Sequence, residues 1–199
     1  MVWTSRPVSR LHGILRAPGD KSCSHRALIM GGIAHGTSHF TGLLEGDDVL
    51  RTGAAMQALG ATVTRTGPGQ WEVTGTGARG LTSPAAPLDF GNSGTGSRLM
   101  MGLTDTAEPH GRLPFRLTGS AALQAITYAP PQASAQIKSA VMLAGLNAHG
   151  TTMVEEAKPT RDHTERMLRG FGAEVGVTRG AGQARTISLL GGQELFAIE

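Results

Sequence analysis

The residues best suited to chemistry lie in Leu88–Met101, LDFGNSGTGSRLMM. An apolar lead-in (Leu88, Phe90) meets Gly91, small and polar residues follow to Ser97, and the apolar run Leu99, Met100, Met101 begins only then. That reads as a strand-like entry, a tight turn and a helix start. Asn92, Ser93, Thr95 and Ser97 can cap the helix, and Gly91, Gly94 and Gly96 let backbone N–H groups approach a ligand, so the first turn suits an anion. It is not a Walker loop, since no Gly-Lys-Ser/Thr follows, nor a dinucleotide fingerprint, since the glycine spacing differs. A plain capped loop is the alternative. A second cluster, Asp20, Lys21, Ser22, Ser24, His25 and Arg26, precedes Ala27, Leu28, Met30 and Ile33. It predicts a helix from near Ser22 with Lys21 and Arg26 at its start. Cations there oppose the helix dipole unless an anionic ligand offsets them; a solvated charged turn is the other reading. His25, His35 and His149 sit beside turns or helix starts and read as polar residues, not metal ligands. Cys23, the one cysteine, cannot pair within the chain, which fits a reducing compartment and a half-buried thiol, not a nucleophile.

The elements that hold these residues must come from 199 residues, enough for one large domain or two small ones. A net charge of +3 with scattered cations and 4% aromatic residues offers no stacking platform for nucleic acid, and suits a small acidic or phosphorylated ligand. No apolar run approaches the roughly 18 residues of a membrane span and no signal-peptide core is visible, so the chain reads as soluble and cytoplasmic. Its 29 glycines, without a collagen-like period, imply many tight turns between short elements.

Taken in order, Leu11–Leu15 alternates like a strand and ends at Ala17-Pro18-Gly19. A helix from Ser22, a strand at Thr37–Thr41, a helix from the acidic turn Asp47-Asp48 to Gly60, and strands at Ala61–Arg65 and Trp71–Thr74 follow. The same order returns: a helix at Ser134–Leu143, a strand after His149-Gly150, a helix opened by Asp162, and two strands ending near Leu190. Ala-His-Gly-Thr recurs 114 residues on, at His35 and His149, and Asp48 and Asp162 share that spacing. This is an internal repeat of about 55 residues. A third, middle copy begins at Ser93 and ends with a strand at Leu113–Thr118, but only Thr104–Gly111 lies where the others have a strand and a helix. The fold class is therefore α/β: a pseudo-threefold domain of helix-strand-helix-strand-strand units with the middle unit incomplete, the strands forming one mixed sheet and the first helices pointing their N-termini, at Ser22, Ser93 and Ser134, toward one site.

The stretches DKSCSHRALIMGGIAHGTS, LLEGDDV, LDFGNSGTGSRLMMGL, PPQASAQIKSAVMLAGLNAHGTT and TRDHTERMLRGFGAEV resemble the N-terminal domain of the EPSP synthase (3-phosphoshikimate 1-carboxyvinyltransferase) family, in the form associated with glyphosate-tolerant bacteria. The sister UDP-N-acetylglucosamine enolpyruvyl transferases have Lys-Asn where this chain has Lys21-Ser22. The resemblance implies a transferase of aromatic amino acid biosynthesis that moves an enolpyruvyl group from phosphoenolpyruvate to the 5-hydroxyl of shikimate 3-phosphate, with glyphosate as the family's inhibitor and no cofactor. It assigns Lys21, Ser22 and Arg26 to shikimate 3-phosphate, with Lys21 also reaching the phosphoenolpyruvate phosphate and counted as catalytic. It assigns Asn92, Gly94 and Thr95 to the phosphoenolpyruvate and glyphosate pocket, Ser134 and Gln136 to the substrate phosphate and ring, and Arg161 to the shikimate side.

Departures from the family matter equally. The family's Lys/Glu-Arg-Pro-Met segment, whose Arg clamps the phosphoenolpyruvate phosphate, has no match between Leu103 and Leu113, and the family's second domain, with its acid/base pair and carboxylate-gripping arginines, has no counterpart. The expected layout is an N-terminal segment, 1–19, that would pair with that second domain or with another copy of the chain, a domain at 20–190, and a tail at 191–199 where the family crosses between domains. Two functions stand: a transferase that carries mainly the shikimate 3-phosphate half of the site, and a non-catalytic phosphate-ligand-binding domain or degenerate gene product.

Overall fold

Helix α1 (Lys21–Ile33) begins one residue before the expected Ser22, because Asp20 takes the capping position and its carboxylate accepts from the Cys23 N–H at 2.8 Å. From Ser24 to Ile33 every residue of α1 is buried, as expected of a helix apolar nearly all round. A computed structural model describes residues 4, 6, 7, 9, 10, 12–103, 106, 107, 117, 118 and 122–198. After α1 come β1 (His35–Thr41), α2 (Asp47–Ala58), β2 (Thr62–Gly67) and β3 (Gln70–Thr76). The later copy repeats them as α4 (Ala135–Gly145), β7 (Thr151–Glu156), α5 (His163–Gly170), β8 (Val175–Arg179) and β9 (Arg185–Leu190). Between them lie α3 (Gly94–Met100), a 3-10 turn (Met101–Leu103), a two-residue pair β4 (Thr106–Ala107) with β5 (Leu117–Thr118), and β6 (Thr127–Tyr128). Of the strand expected at Leu113–Thr118, residues 113–116 fall outside the described residues.

The copies do not share one mixed sheet. Each closes its own antiparallel sheet, in the order β1-β3-β2 and β7-β9-β8, because a short hairpin brings β2 to β3 and β8 to β9 while the first strand adds to the hairpin's other edge. β6 joins parallel, beside β7. One core spans the copies, with Leu28, Ile29 and Ile33 of α1 in the same buried cluster as Leu99 of α3, Leu143 of α4 and Leu168 of α5. The turn after α3 lies backbone to backbone on α4: a Cβ on Gly102 would fall 2.8 Å from the Ala140 Cα, so only glycine fits.

Residues 191–198 are not a loose tail. Leu195 is fully buried, the His35 N–H donates to the Leu195 carbonyl at 2.7 Å, and the Ala197 N–H returns a bond to His35 at 2.8 Å. His149 is treated in the same way by Leu123 (2.7 Å) and Ala125 (3.1 Å). The sequences are Leu-Phe-Ala-Ile at 195–198 and Leu-Gln-Ala-Ile at 123–126. Each segment extends the sheet of another copy in parallel, so the last copy closes onto the first. The strand expected at Leu11–Leu15 is absent among the described residues there: Ile14 and Leu15 are fully exposed, since an alternating stretch without a neighbouring strand has nothing to pair with. No helix among the described residues is long and apolar enough to cross a membrane.

Candidate functional site

The N-terminal turns of α1 and α4 are tied together by Arg161, Arg26 and Lys138. Ser22 lies in the first turn of α1; its hydroxyl accepts from Arg161 Nη1 at 3.4 Å, and its carbonyl accepts from Arg26 Nη1 at 2.9 Å. Arg26 is only 3% exposed, and its Nε and Nη2 donate to Thr164 Oγ1 (2.6 Å) and Ser139 Oγ (2.7 Å). Burial pulls this guanidinium below its ordinary pKa. The expected ligand-facing Arg26 is thus a buried tie that fixes Ser22 from behind, while Arg161 is the exposed cation beside the Ser22 hydroxyl. Lys21 is half exposed and ion-paired with Asp48. Burial raises the Asp48 carboxyl, but the hydrogen bond and charge of Lys21 outweigh that and leave it below the ordinary carboxylate value.

The other expected residues gather at α3 and α4. Ser93 caps α3, accepting from the Gly96 N–H at 3.1 Å, and Ser134 caps α4, accepting from the Ile137 N–H at 3.3 Å. Gln136 joins the two helices: its amide donates to Thr95 Oγ1 at 2.9 Å and its carbonyl accepts from Arg98 Nη1 at 3.2 Å. Arg98 also donates to the Gly94 carbonyl at 3.0 Å. Asn92 is exposed, and the turn it shares with Gly91, at φ +52°, is closed by the Gly94 N–H donating to the Asn92 carbonyl at 2.9 Å. Ser22 with Arg161, and Thr95 with Gln136, are therefore joined as pairs through α4. Thr52 of α2 links the remaining side: its hydroxyl lies 2.8 Å from His25 Nδ1, and a Cβ on Gly96 would fall 2.6 Å from it.

Sequence reasoning missed what holds Arg161. Lys138, fully buried in α4, donates to Glu165 Oε1 (2.6 Å), to the Arg161 carbonyl (3.0 Å) and to Glu156 Oε2 (3.4 Å). Arg185 closes the network, donating to Glu156 Oε2 (2.6 Å) and to the Thr160 carbonyl (2.7 Å). Burial raises Glu156, but hydrogen bonds from Thr160 and Arg185 with the Lys138 charge hold it below the usual range. The signal was available: Lys138 stands one turn before Met142, and Glu165 three residues before Leu168, both on buried stripes. His25, fully buried, has Nε2 without a hydrogen-bond partner, 3.8 Å from Asp48 Oδ2, and burial lowers its pKa. Burial, with Asp20 beside it, raises the Cys23 thiol, which agrees with a non-nucleophilic reading. A concavity of about 600 Å³ on the third copy is lined by residues such as Arg169 and Glu174, one of about 230 Å³ between the turn after α3 and α4 by residues such as Gly102 and Val141, and no expected site residue lines either.

The chain matches the family described as EPSP synthase (3-phosphoshikimate 1-carboxyvinyltransferase) over residues 5–125 and 104–198, the two matches overlapping where the middle copy is incomplete. It is 60% identical to the 3-phosphoshikimate 1-carboxyvinyltransferase of Hyphomonas neptunium, covering all of this chain and 53% of that protein. That alignment runs over 232 positions although the chain holds 199 residues, so the relative carries residues for which this chain has none. A Methylobacterium enzyme of the same name is 50% identical, over 98% of this chain and 52% of its own. The solved structure of EPSP synthase from Acinetobacter baumannii superposes with a TM-score of 0.83 at 39% identity, over 94% of this chain and 48% of that one. The chain thus spans about half the length of the relatives it matches. With nearly every residue of the two full copies inside those matches, the chain belongs to the EPSP synthase family.

Proposed function

We propose that this chain holds shikimate 3-phosphate for enolpyruvyl transfer from phosphoenolpyruvate in the cytoplasm, with Lys21, Ser22, Ser134, Gln136 and Arg161 toward the shikimate 3-phosphate and Asn92, Gly94 and Thr95 toward the phosphoenolpyruvate. The observation that supports it is the pairing of Arg161 with the Ser22 hydroxyl across two copies, with the Arg161 backbone locked by Lys138. A phosphate there receives charge-assisted bonds from a cation whose position is already set, so little ordering cost opposes binding. Arg26 contributes by fixing Ser22 and Ser139. Lys21 must exchange Asp48 for the phosphate, which makes Asp48 a gauge of its availability.

Bond-making needs proton transfer at carbon and oxygen, and the family's acid/base pair has no counterpart among these 199 residues, so a further domain must supply it. Titration calorimetry with shikimate 3-phosphate is expected to show weak binding that drops about 10-fold or more in Lys21→Ala and in Arg161→Ala, the scale of a charge-assisted bond. No heat, or the same affinity in both variants, would overturn the reading. Binding without turnover when a family C-terminal domain is added would favour the non-catalytic phosphate-ligand-binding reading, which the missing clamp arginine supports.

A further inference from the structure

The geometry points to a site for a divalent transition-metal ion of the zinc class at Asp20, Cys23 and His163. One ligand atom from each lies within 4.8 Å of the others: Cys23 Sγ is 3.0 Å from His163 Nδ1, which is 3.9 Å from Asp20 Oδ1. Two rigid elements bring them together. Asp20 and Cys23 are the cap and third residue of α1, and His163 opens α5; the helices are fastened next door by Arg26 to Thr164 and by Arg161 to Ser22. Cys23 and His163 are half-buried and Asp20 is exposed, so an ion and a solvent-derived fourth ligand have access.

Ligand type selects the ion. A thiolate, an imidazole and a carboxylate suit zinc or cobalt, whereas magnesium and calcium take oxygen sets. Tetrahedral bond lengths of about 2.3 Å to sulfur and 2.0–2.2 Å to nitrogen and oxygen require separations of roughly 3.6 Å for S···N and 3.4 Å for N···O. The present 3.0 and 3.9 Å lie about half an ångström to either side, within reach of side-chain rotation. Binding releases the thiol proton to solvent, so thiolate and carboxylate together neutralise the dication. That balance matters, because Arg26, Arg161 and the positive end of α1 are all close. Asp20 Oδ1, the oxygen 3.9 Å from His163, also accepts the Cys23 N–H, and a carboxylate oxygen has a second lone pair for an ion, so the cap is compatible with ligation.

The test is a cobalt titration of the reduced, metal-free 199-residue chain. One equivalent is expected to bind with a thiolate-to-cobalt charge-transfer band that zinc displaces. Cys23→Ser should abolish the band, and His163→Gln should weaken binding beyond the roughly 10- to 100-fold cost of losing an outer partner. Asp20→Asn, which still caps the helix, should weaken it less. Circular dichroism checks that each variant is folded; should one fail, the zinc-dependent rise in melting temperature of the unmodified chain is the deciding measure. No band and no rise in the unmodified chain, or a band surviving in folded His163→Gln, would overturn the site. No shikimate 3-phosphate is present, so this outcome is separate from that of the proposed function.

Discussion

The first and third copies share a skeleton and differ in where they place charge. Asp20 and Ser134 occupy the same position 114 residues apart, and each accepts from the N–H three residues on. Gln57 and Arg169, 112 residues apart, also match, and each ties the end of its helix to the following strand by donating to the carbonyl of Val63 or Val175. At matched positions inside the helices the chemistry parts. Ser24 of α1 makes neutral bonds to the Asp20 carbonyl and from the Leu44 N–H. Its counterpart Lys138 carries a buried charge into a cluster of two carboxylates and an arginine. The repeated backbone aims helix N-termini at one face, and the side chains at equivalent positions decide what each end does there. The first copy keeps its lysine outside, available to exchange partners; the third locks its lysine inside to hold Arg161.

The largest test of that contrast is the pair Lys138→Ala and Ser24→Ala. Removing Lys138 leaves the buried Glu156 and Glu165 to share the cation of Arg185, and is expected to cost about 3–5 kcal/mol, against about 1 kcal/mol for Ser24, read from urea midpoints at constant slope. Equal losses would erase the distinction. Next come the caps, where the copies should agree: Asp20→Ala and Ser134→Ala are each expected to lose about 1 kcal/mol. A free substitution at either would mean that the shared geometry is not a shared function. The smallest effect is one of pH. His25 matches Ser139 in the third copy and is held neutral by burial, faced by Asp48, Lys21 and Arg26. Its folded pKa lies below the ordinary 6.5, so its share of stability is full above about that pH and is lost as pH falls through the folded value. Asp48, also depressed, gives up its share only below its ordinary 3.8. A melting-temperature decline as pH falls below about 6.5 should therefore flatten in His25→Gln, and an unchanged slope would assign it elsewhere.

The copies, the incomplete middle and the caps at Ser93 and Ser134 were legible because each rests on local pattern. Ser22 was misplaced by one residue for a local reason too, since Asp20 caps as well as serine does. Leu11–Leu15 misled because alternation says which face a strand would bury, not whether a neighbour exists. The network beneath Arg161 was hidden differently: its partners stand 18 to 27 residues from Lys138 on other elements, and only the burial stripe hinted that a lysine would be inside. The convergence of Cys23 and His163, 140 residues apart, had no local trace at all.

The closing segment at 195–198 also sets a clock. The first sheet is complete only when Ile198 bonds to Ser38, across 160 residues of sequence. At about 5–20 residues per second of synthesis, β1 waits on the order of ten to thirty seconds for its last neighbour. During that interval its open edge is a target for other strands, and a cell making this chain must shield it.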